Sequence, residues 1–166
     1  MPTYTGCENP RRIPVRRSKT GGLEVAQEEL GRFWDRAGTI AREHGCYVFG
    51  MRFGDTLTIF YVGIAMKTRF KRECFAPHKM KIYNEVLAKE KRHRRPVLLF
   101  VTPAARRGTR PTVAKEIARN ERWLINSAIA ANPGLMNQRL IRRVPSWRIG
   151  GVEPRGPGRP SKRRVS

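Results

Sequence analysis

Acidic residues are scarce in this chain of 166 residues, which contains 13 Asp and Glu against 35 Lys and Arg. The only aspartates, Asp35 and Asp55, lie apart, so the sequence offers no carboxylate cluster of the kind that holds two metal ions. It also lacks a glycine-rich phosphate loop followed by Lys-Ser or Lys-Thr. A hydrolase with this sequence would therefore have to work with few carboxylates.

Cysteine, histidine and long apolar runs are also sparse. The cysteines and histidines are scattered, without the spacings of a disulfide framework or a zinc finger. No apolar run approaches the ~20 residues of a membrane span, so no membrane partner is expected. The N-terminus lacks the apolar stretch of a secretory signal. We therefore expect a cytoplasmic protein, associated with the nucleoid in a prokaryote.

Positive charge is abundant, with a formal net charge of +22. A compact fold with that charge repels itself, so a polyanionic partner is the natural explanation. Basic residues exceed acidic ones in both tails and between them, so the folded part should itself be basic. Nucleic acid is the predicted partner, because contacts of Lys and Arg with phosphate drive most nonspecific binding.

The apolar pattern divides the chain into four segments. Residues 1–22 hold Pro, Gly and pairs of Arg, which predicts a basic flexible arm. Residues 23–44 have the apolar spacing of an amphipathic helix. Residues 45–139 form the predicted core, and residues 140–166 a basic tail rich in Arg, Pro and Gly that is expected to lose order.

The predicted core mixes strands and helices. Strands are expected at 46–49, 57–62 and 97–101, and helices at 66–75, 79–92 and 112–131. Gly54-Asp55 has the chemistry of a hairpin turn between the first two strands, and Thr112 is the expected N-cap of the last helix. The predicted fold class is α+β, with a small central antiparallel sheet of about three strands flanked by helices.

One carboxylate lies in an unexpected place. In the helix predicted over 112–131, Ile117, Glu121 and Ile125 follow one another at i, i+4 on one face. An acidic group in an apolar stripe costs free energy unless it is paired or binds a metal. The sequence leaves both explanations open, an ion pair with a nearby arginine or a metal site.

Two tyrosines lie at the same end of the predicted hairpin. Tyr47 begins its first strand and Tyr61 ends its second, so the two should come close across the ladder. A predicted basic helix follows them and carries Lys67, Arg69, Lys71 and Arg72. Tyrosines in strands often serve only in packing, and these two could do the same.

The ordered set of these residues resembles the GIY-YIG nuclease family. Gly45-Cys46-Tyr47 resembles the family's first tripeptide and Tyr61-Val62-Gly63 its second. Cys46 replaces the usual branched aliphatic residue, and the hairpin between the motifs is somewhat long. The resemblance runs from about Gly45 to Arg139 and implies a nuclease fold for that segment.

Four further positions extend the resemblance. Arg69 falls where the family has its catalytic arginine, with Arg72 as the alternative. His78 matches a histidine of many members, Glu121 the metal-binding glutamate and Asn137 the asparagine that closes the domain. These positions complete the implied catalytic set.

The resemblance implies a metal-dependent DNA endonuclease that leaves 5′-phosphate and 3′-hydroxyl ends. Glu121 would hold one Mg²⁺ (or Mn²⁺) and Arg69 would stabilise charge on the phosphate. Tyr47 would take the proton from the attacking water, with Lys67 or Arg69 favouring its phenolate. The implied substrate-binding cations are Lys67, Lys71 and Arg72, and Tyr61 and His78 would hold the phosphate and orient Tyr47.

The segments outside the predicted core indicate which members of the family the chain most resembles. With little besides the core, the chain most resembles the restriction enzymes of the family, which implies a homodimer on a palindromic site. Homing and repair nucleases are alternatives within the family, and a non-catalytic basic nucleic-acid-binding protein is the alternative outside it. In the tail, Gly158-Arg159-Pro160 resembles an AT-hook, although Pro157 stands where an arginine is usual. Arg159 would then contact DNA; the alternative is a generic basic tail that binds any phosphate.

Overall fold

The computed structural model describes residues 10–91, 93–103, 110–132 and 134–136. Asn137, Arg159 and the predicted tail over 140–166 lie outside the described residues. Within them the α+β class is confirmed, and one antiparallel sheet of four strands is accompanied by a ribbon of two strands. The expectation of about three strands in the central sheet was therefore one strand short.

The elements follow in chain order. The strands are β1 (Arg11–Arg12), β2 (Val15–Arg17), β3 (Leu23–Val25), β4 (Gly45–Phe53), β5 (Thr56–Ala65) and β6 (Arg95–Val101). The α-helices are α1 (Leu30–Ala37), α2 (Phe70–Glu73), α3 (Pro77–Ala88) and α4 (Arg110–Ala131). Two short 3-10 helices, Gln27–Glu29 and Gly38–Arg42, lie on either side of α1.

The sheet is built around the hairpin that the sequence predicted. Its order is β1-β6-β4-β5, so β4 lies between β5 and β6, and both pairings are antiparallel. Tyr47 faces Gly63 across the hairpin and Phe49 faces Tyr61. The two tyrosines are therefore two residue positions apart on the same side of the sheet, because side chains alternate along a strand.

The two faces of the sheet pack against different helices. Tyr47 and Phe49 lie in the larger core cluster with side chains of α1, α2 and α3. Val48 and Cys46 face the other way and pack against α4, with Ile125 and Ile117 respectively. The edge strand β5 therefore has α3 on one side and α4 on the other.

The N-terminal segment differs from its prediction. It was expected to be a flexible arm followed by one helix over 23–44, yet β1 pairs with β6 and β2 pairs with β3. Pairing satisfies backbone groups that the free edge of β6 would otherwise expose. The α-helix is limited to Leu30–Ala37 because Gly38, at φ 63°, leaves the helical conformation.

The other helices lie close to their predicted positions. The segment predicted as a helix over 66–75 contains only the single turn of α2, with Arg69 as its N-cap. Helix α3 begins at Pro77, a residue suited to the first helical position. Helix α4 begins at Arg110, so Thr112 lies inside it and is not the N-cap. None of the helices in the described part of the chain combines the length and the apolar character needed to cross a bilayer.

Candidate active site

The glycines of both tripeptides are required by close packing. A Cβ atom at Gly63 would overlap the ring and the hydroxyl of Tyr47, which lie directly against its backbone. A Cβ atom at Gly45, at φ 154°, would overlap the carbonyl oxygen of Val101 on the neighbouring strand. These two glycines therefore have a structural reason that is independent of any catalysis.

Tyr47 lies deeper than its predicted role requires. It is fully buried, its ring centroid lies 6.3 Å from that of Tyr61, and its hydroxyl has no hydrogen-bond partner among the described residues. Burial, with smaller contributions from Tyr83 and Cys74, raises the pKa of Tyr47 far above its ordinary value. The expectation that nearby cations favour its phenolate is therefore wrong, because burial acts in the opposite direction.

Tyr61 has the cationic partner that Tyr47 lacks. The ammonium group of Lys79, a side chain only 8 % exposed, donates a hydrogen bond to the Tyr61 hydroxyl. The same nitrogen lies 4.7 Å from the centroid of the Tyr61 ring. A buried lysine is rare unless it is paired, so this contact is a defined feature of the site.

Lys79 was missed in the sequence, and its neighbour His78 was chosen instead. His78 is exposed on α3, whereas Lys79, Met80 and Tyr83 lie on the buried face of that helix. Residues 79 and 83 are spaced i, i+4, so Lys79 shares a face with Tyr83. The spacing was thus a usable signal, although a lysine on a buried face is not expected from its residue type.

Glu121 lies on α4 between two buried isoleucines, as predicted. Ile117 is fully buried and Ile125 nearly so, while Glu121 itself is partly exposed. No ion pair joins Glu121 to a cation anywhere in the described ranges, so the predicted alternative of an arginine partner is not realised there. Burial raises the pKa of Glu121, opposed by the positive charges of Lys79 and Arg122.

Cys46 packs as a small apolar residue beside this carboxylate. Its thiol donates to the carbonyl oxygen of Ile117 at 3.3 Å, inside the core. Burial, assisted by the negative charge of Glu121, raises the pKa of Cys46 to about 12. The thiol therefore stays neutral at physiological pH, which makes it a poor metal ligand.

Among the described residues, Glu121 is the carboxylate to compare with the single metal ion that the sequence resemblance implies. Within the residues that the structure describes, no group of three or more His, Cys, Asp or Glu side chains could hold a metal ion. Mg²⁺ commonly binds through one or two carboxylates and keeps several waters. An unpaired, partly exposed Glu121 fits that mode of binding, and it does not fit a caged site such as that of structural zinc.

Two of these side chains, Lys79 and Tyr61, meet at the edge strand β5. Lys79 approaches from α3 and contacts Tyr61 on β5, and its charge acts on Glu121 of α4. Tyr47 and Tyr83 lie behind Tyr61, with the Tyr61 and Tyr83 ring centroids 6.4 Å apart. The fold therefore brings a lysine and a tyrosine into contact, while Glu121 lies on the helix that packs against the other face of the sheet, within range of the lysine charge.

A basic groove lies over the loop that precedes α2. Its volume is about 400 Å³, and its lining contains no acidic side chain: Ala41, Arg42, Lys67, Thr68, Arg69, Lys71 and Arg72. The loop is anchored by backbone contacts, with Phe70 N–H donating to Glu43 O at 3.1 Å. The four cations predicted from the sequence thus lie together, as expected.

Arg42 is a member of this groove that sequence reasoning missed. It ends the 3-10 helix Gly38–Arg42 and is exposed. The signal available was its position three residues before Gly45, just ahead of the central strand. The sequence pattern instead predicts the end of a long helix at this position, which gives no indication of a groove.

Comparison with protein-family models, curated proteins and solved structures finds no match for this chain.

Proposed function

We propose that this protein is a metal-dependent endonuclease that hydrolyses phosphodiester bonds in double-stranded DNA, of the GIY-YIG type. The observation that supports this most strongly is Glu121, a carboxylate on an otherwise apolar helix face that has no ion-pair partner among the described residues. Such a position is unfavourable for a carboxylate unless a cation binds there.

Glu121 and Arg69 would have separate roles, one in binding the metal and the other in binding the phosphate. Glu121 would hold Mg²⁺ or Mn²⁺, with water molecules as the other ligands. When bound, the ion would supply positive charge to the scissile phosphate and to the leaving oxygen. Arg69, at the N-cap of α2 in the basic groove, would stabilise the charge on the non-bridging phosphate oxygens.

Tyr61 is better suited than Tyr47 to take the proton from the attacking water. Tyr61 would accept the proton as its phenolate, and Lys79, a cationic donor to the Tyr61 oxygen, would offset the negative charge that this form carries. The Tyr47 hydroxyl is buried against Gly63 and its pKa is raised, so it is poorly placed to meet water or to ionise. We therefore assign proton transfer to Tyr61, the positioning of its oxygen to Lys79, and support of the Tyr61 ring to Tyr47.

A restriction role, as opposed to homing or repair, is inferred from the sequence resemblance alone. A restriction-like enzyme that cuts a palindromic site needs two active sites, and a homodimer supplies them. Homing and repair nucleases use the same chemistry and differ in what directs them to DNA. The exposed His78 remains a candidate phosphate contact within this proposal.

Analysis of the product ends tests the proposed reaction. Purified protein, incubated with end-labelled duplex DNA and Mg²⁺, should yield fragments with 5′-phosphate and 3′-hydroxyl ends that DNA ligase rejoins. A protein that retards the duplex but leaves it intact under all divalent metals would instead be the non-catalytic nucleic-acid-binding protein.

Arg69 and Arg72 should have different effects when each is replaced by alanine. Arg69→Ala should lower the single-turnover rate at saturating DNA by at least ~100-fold, because a transition-state charge clamp is lost. Arg72→Ala should mainly raise the dissociation constant, since an exposed cation of the groove contacts substrate phosphate in both ground and transition states. If the two effects are exchanged, Arg72 is the catalytic arginine.

A further inference from the structure

A second cluster of cations lies at the opposite end of the sheet from the tyrosines. It forms a cleft of about 520 Å³ where β1, β4 and β6 end, lined by Pro10, Arg12, Arg52, Phe53, Gly54, His93, Arg95 and Val97. We call this the arginine cleft. Its arginines come from three different strands, so only the folded sheet brings them together.

The arrangement of these arginines opposes folding. Arg52 and Arg95 are register partners across β4 and β6. Like charges directly opposite each other on neighbouring strands destabilise a sheet, and the chain already carries a net charge of +22. Arg12 is paired in register with Val97, two positions from Arg95, and adds a third cation nearby.

Little negative charge compensates this cluster. Arg52 donates to the Gly54 carbonyl at 2.8 Å and lies 3.7 Å from the fully exposed Asp55, contacts that hold it near the hairpin turn. In the residues that the structure describes, neither Arg12 nor Arg95 makes an ion pair with a carboxylate. The cleft therefore retains the positive charge that an anionic ligand neutralises.

The cleft is separate from the candidate active site. Strand β4 runs from Gly45 to Phe53, so Tyr47 and Arg52 lie five residues apart on it, about 17 Å at ~3.3 Å per residue. Arg52 lies one residue from its far end, whereas Tyr47 lies near its start. Phosphates follow one another every ~3.4 Å along one DNA strand, so about five base pairs cover that distance.

We propose that the arginine cleft binds backbone phosphates of duplex DNA at a distance from the site of cleavage. The inference rests on the proposed function only for the identity of the polyanion. Phe53, 67 % exposed at the rim of the cleft, offers an apolar surface to the sugars of the same backbone. The cleft thus extends the contact between the protein and DNA along the long direction of the central strands.

Salt-dependent binding in EDTA tests the cleft without depending on chemistry. Binding of a fluorescent 20-base-pair duplex is measured by anisotropy between 50 and 200 mM NaCl. The plot of log K against log salt falls less steeply when phosphate contacts are lost, because each contact contributes about −0.9 to its slope. For the double variant Arg52→Ala/Arg95→Ala, the magnitude of the slope should therefore be smaller by about 1.8. Arg17→Ala/Arg32→Ala removes the same charge from two exposed arginines outside both grooves and should change the slope far less.

A third variant separates charge from apolar contact. Phe53→Ala should weaken binding by a similar factor at every salt concentration, because an apolar contact releases no counterions. Thermal melting checks that each variant is folded, and Arg12→Gln/Arg95→Gln replaces the double alanine variant if that variant fails to fold. Equal slopes for the cleft and control doubles, or no change in either, would overturn the proposal. Absence of cleavage by the wild type would instead count against the endonuclease and leave this result standing.

Discussion

Replacing Glu121 with alanine is expected to abolish DNA cleavage and to leave DNA binding nearly unchanged. Glu121 is the carboxylate that we assign to the metal, and the cations of the basic groove are unaffected by its loss. Glu121→Gln should behave in the same way, because the amide keeps the shape and loses the charge. Glu29→Ala, which removes an exposed carboxylate elsewhere, is the matched control and should cleave normally. Undiminished cleavage by either Glu121 variant would contradict the assignment.

Glu121→Gln, which should abolish cleavage, should leave the fold at least as stable as the wild type. Burial raises the pKa of Glu121, so ionisation of this group is less favourable in the folded than in the unfolded chain. Its contribution to stability therefore falls as the pH rises through its pKa. In EDTA at neutral pH, Glu121→Gln should melt at or above the temperature of the wild type, and the difference should disappear near pH 4. Added Mg²⁺ should raise the melting temperature of the wild type alone.

Replacing Tyr61 with phenylalanine is expected to reduce the cleavage rate by at least ~100-fold, because general-base catalysis typically contributes a factor of about 100 to 10,000. The variant removes the oxygen that accepts the hydrogen bond from Lys79 and keeps the ring. Tyr47→Phe should retain most of the activity, because the hydroxyl that it removes is buried and has no partner in the described chain. Loss of an unsatisfied buried group should also stabilise the fold by about 1 kcal/mol.

Single-turnover cleavage by both variants, measured between pH 6 and 10, decides whether Tyr61 or Tyr47 is the general base. Chemical denaturation in parallel measures the stability of each variant. Lys79→Met should follow Tyr61→Phe and alter the pH profile, as a positioning residue would. If Tyr47→Phe instead loses activity while Tyr61→Phe retains it, Tyr47 is the base and its hydroxyl must become accessible when DNA binds.

The parts of the fold that could be predicted from sequence depend on local patterns. The hairpin around Gly54-Asp55 and the helix that carries Glu121 follow from spacing over a few residues, and both are present. Strand β1 was missed because Arg11 and Arg12 have no strand pattern of their own. They form a strand only because the edge of β6 is available to pair with them.

The surroundings of the candidate site residues could be predicted only where a single residue in its local pattern determines them. Glu121 was identifiable because a charge interrupts an apolar face. The burial of Tyr47 was not, since it depends on Gly63 beneath its ring and on Tyr83 from a helix distant in the sequence. His78 lies on the exposed face of α3 and the next residue, Lys79, on its buried face, a difference of one residue in helical phase that local pattern alone does not resolve.

Supercoiled plasmid, incubated with the purified protein in Mg²⁺, Mn²⁺ or EDTA, tests the central claim most directly. The account predicts conversion to nicked or linear DNA with either metal, none in EDTA, and none with Glu121→Gln at the same protein concentration. Plasmid that is bound yet stays supercoiled with every metal, or that is cut equally well in EDTA, would contradict it.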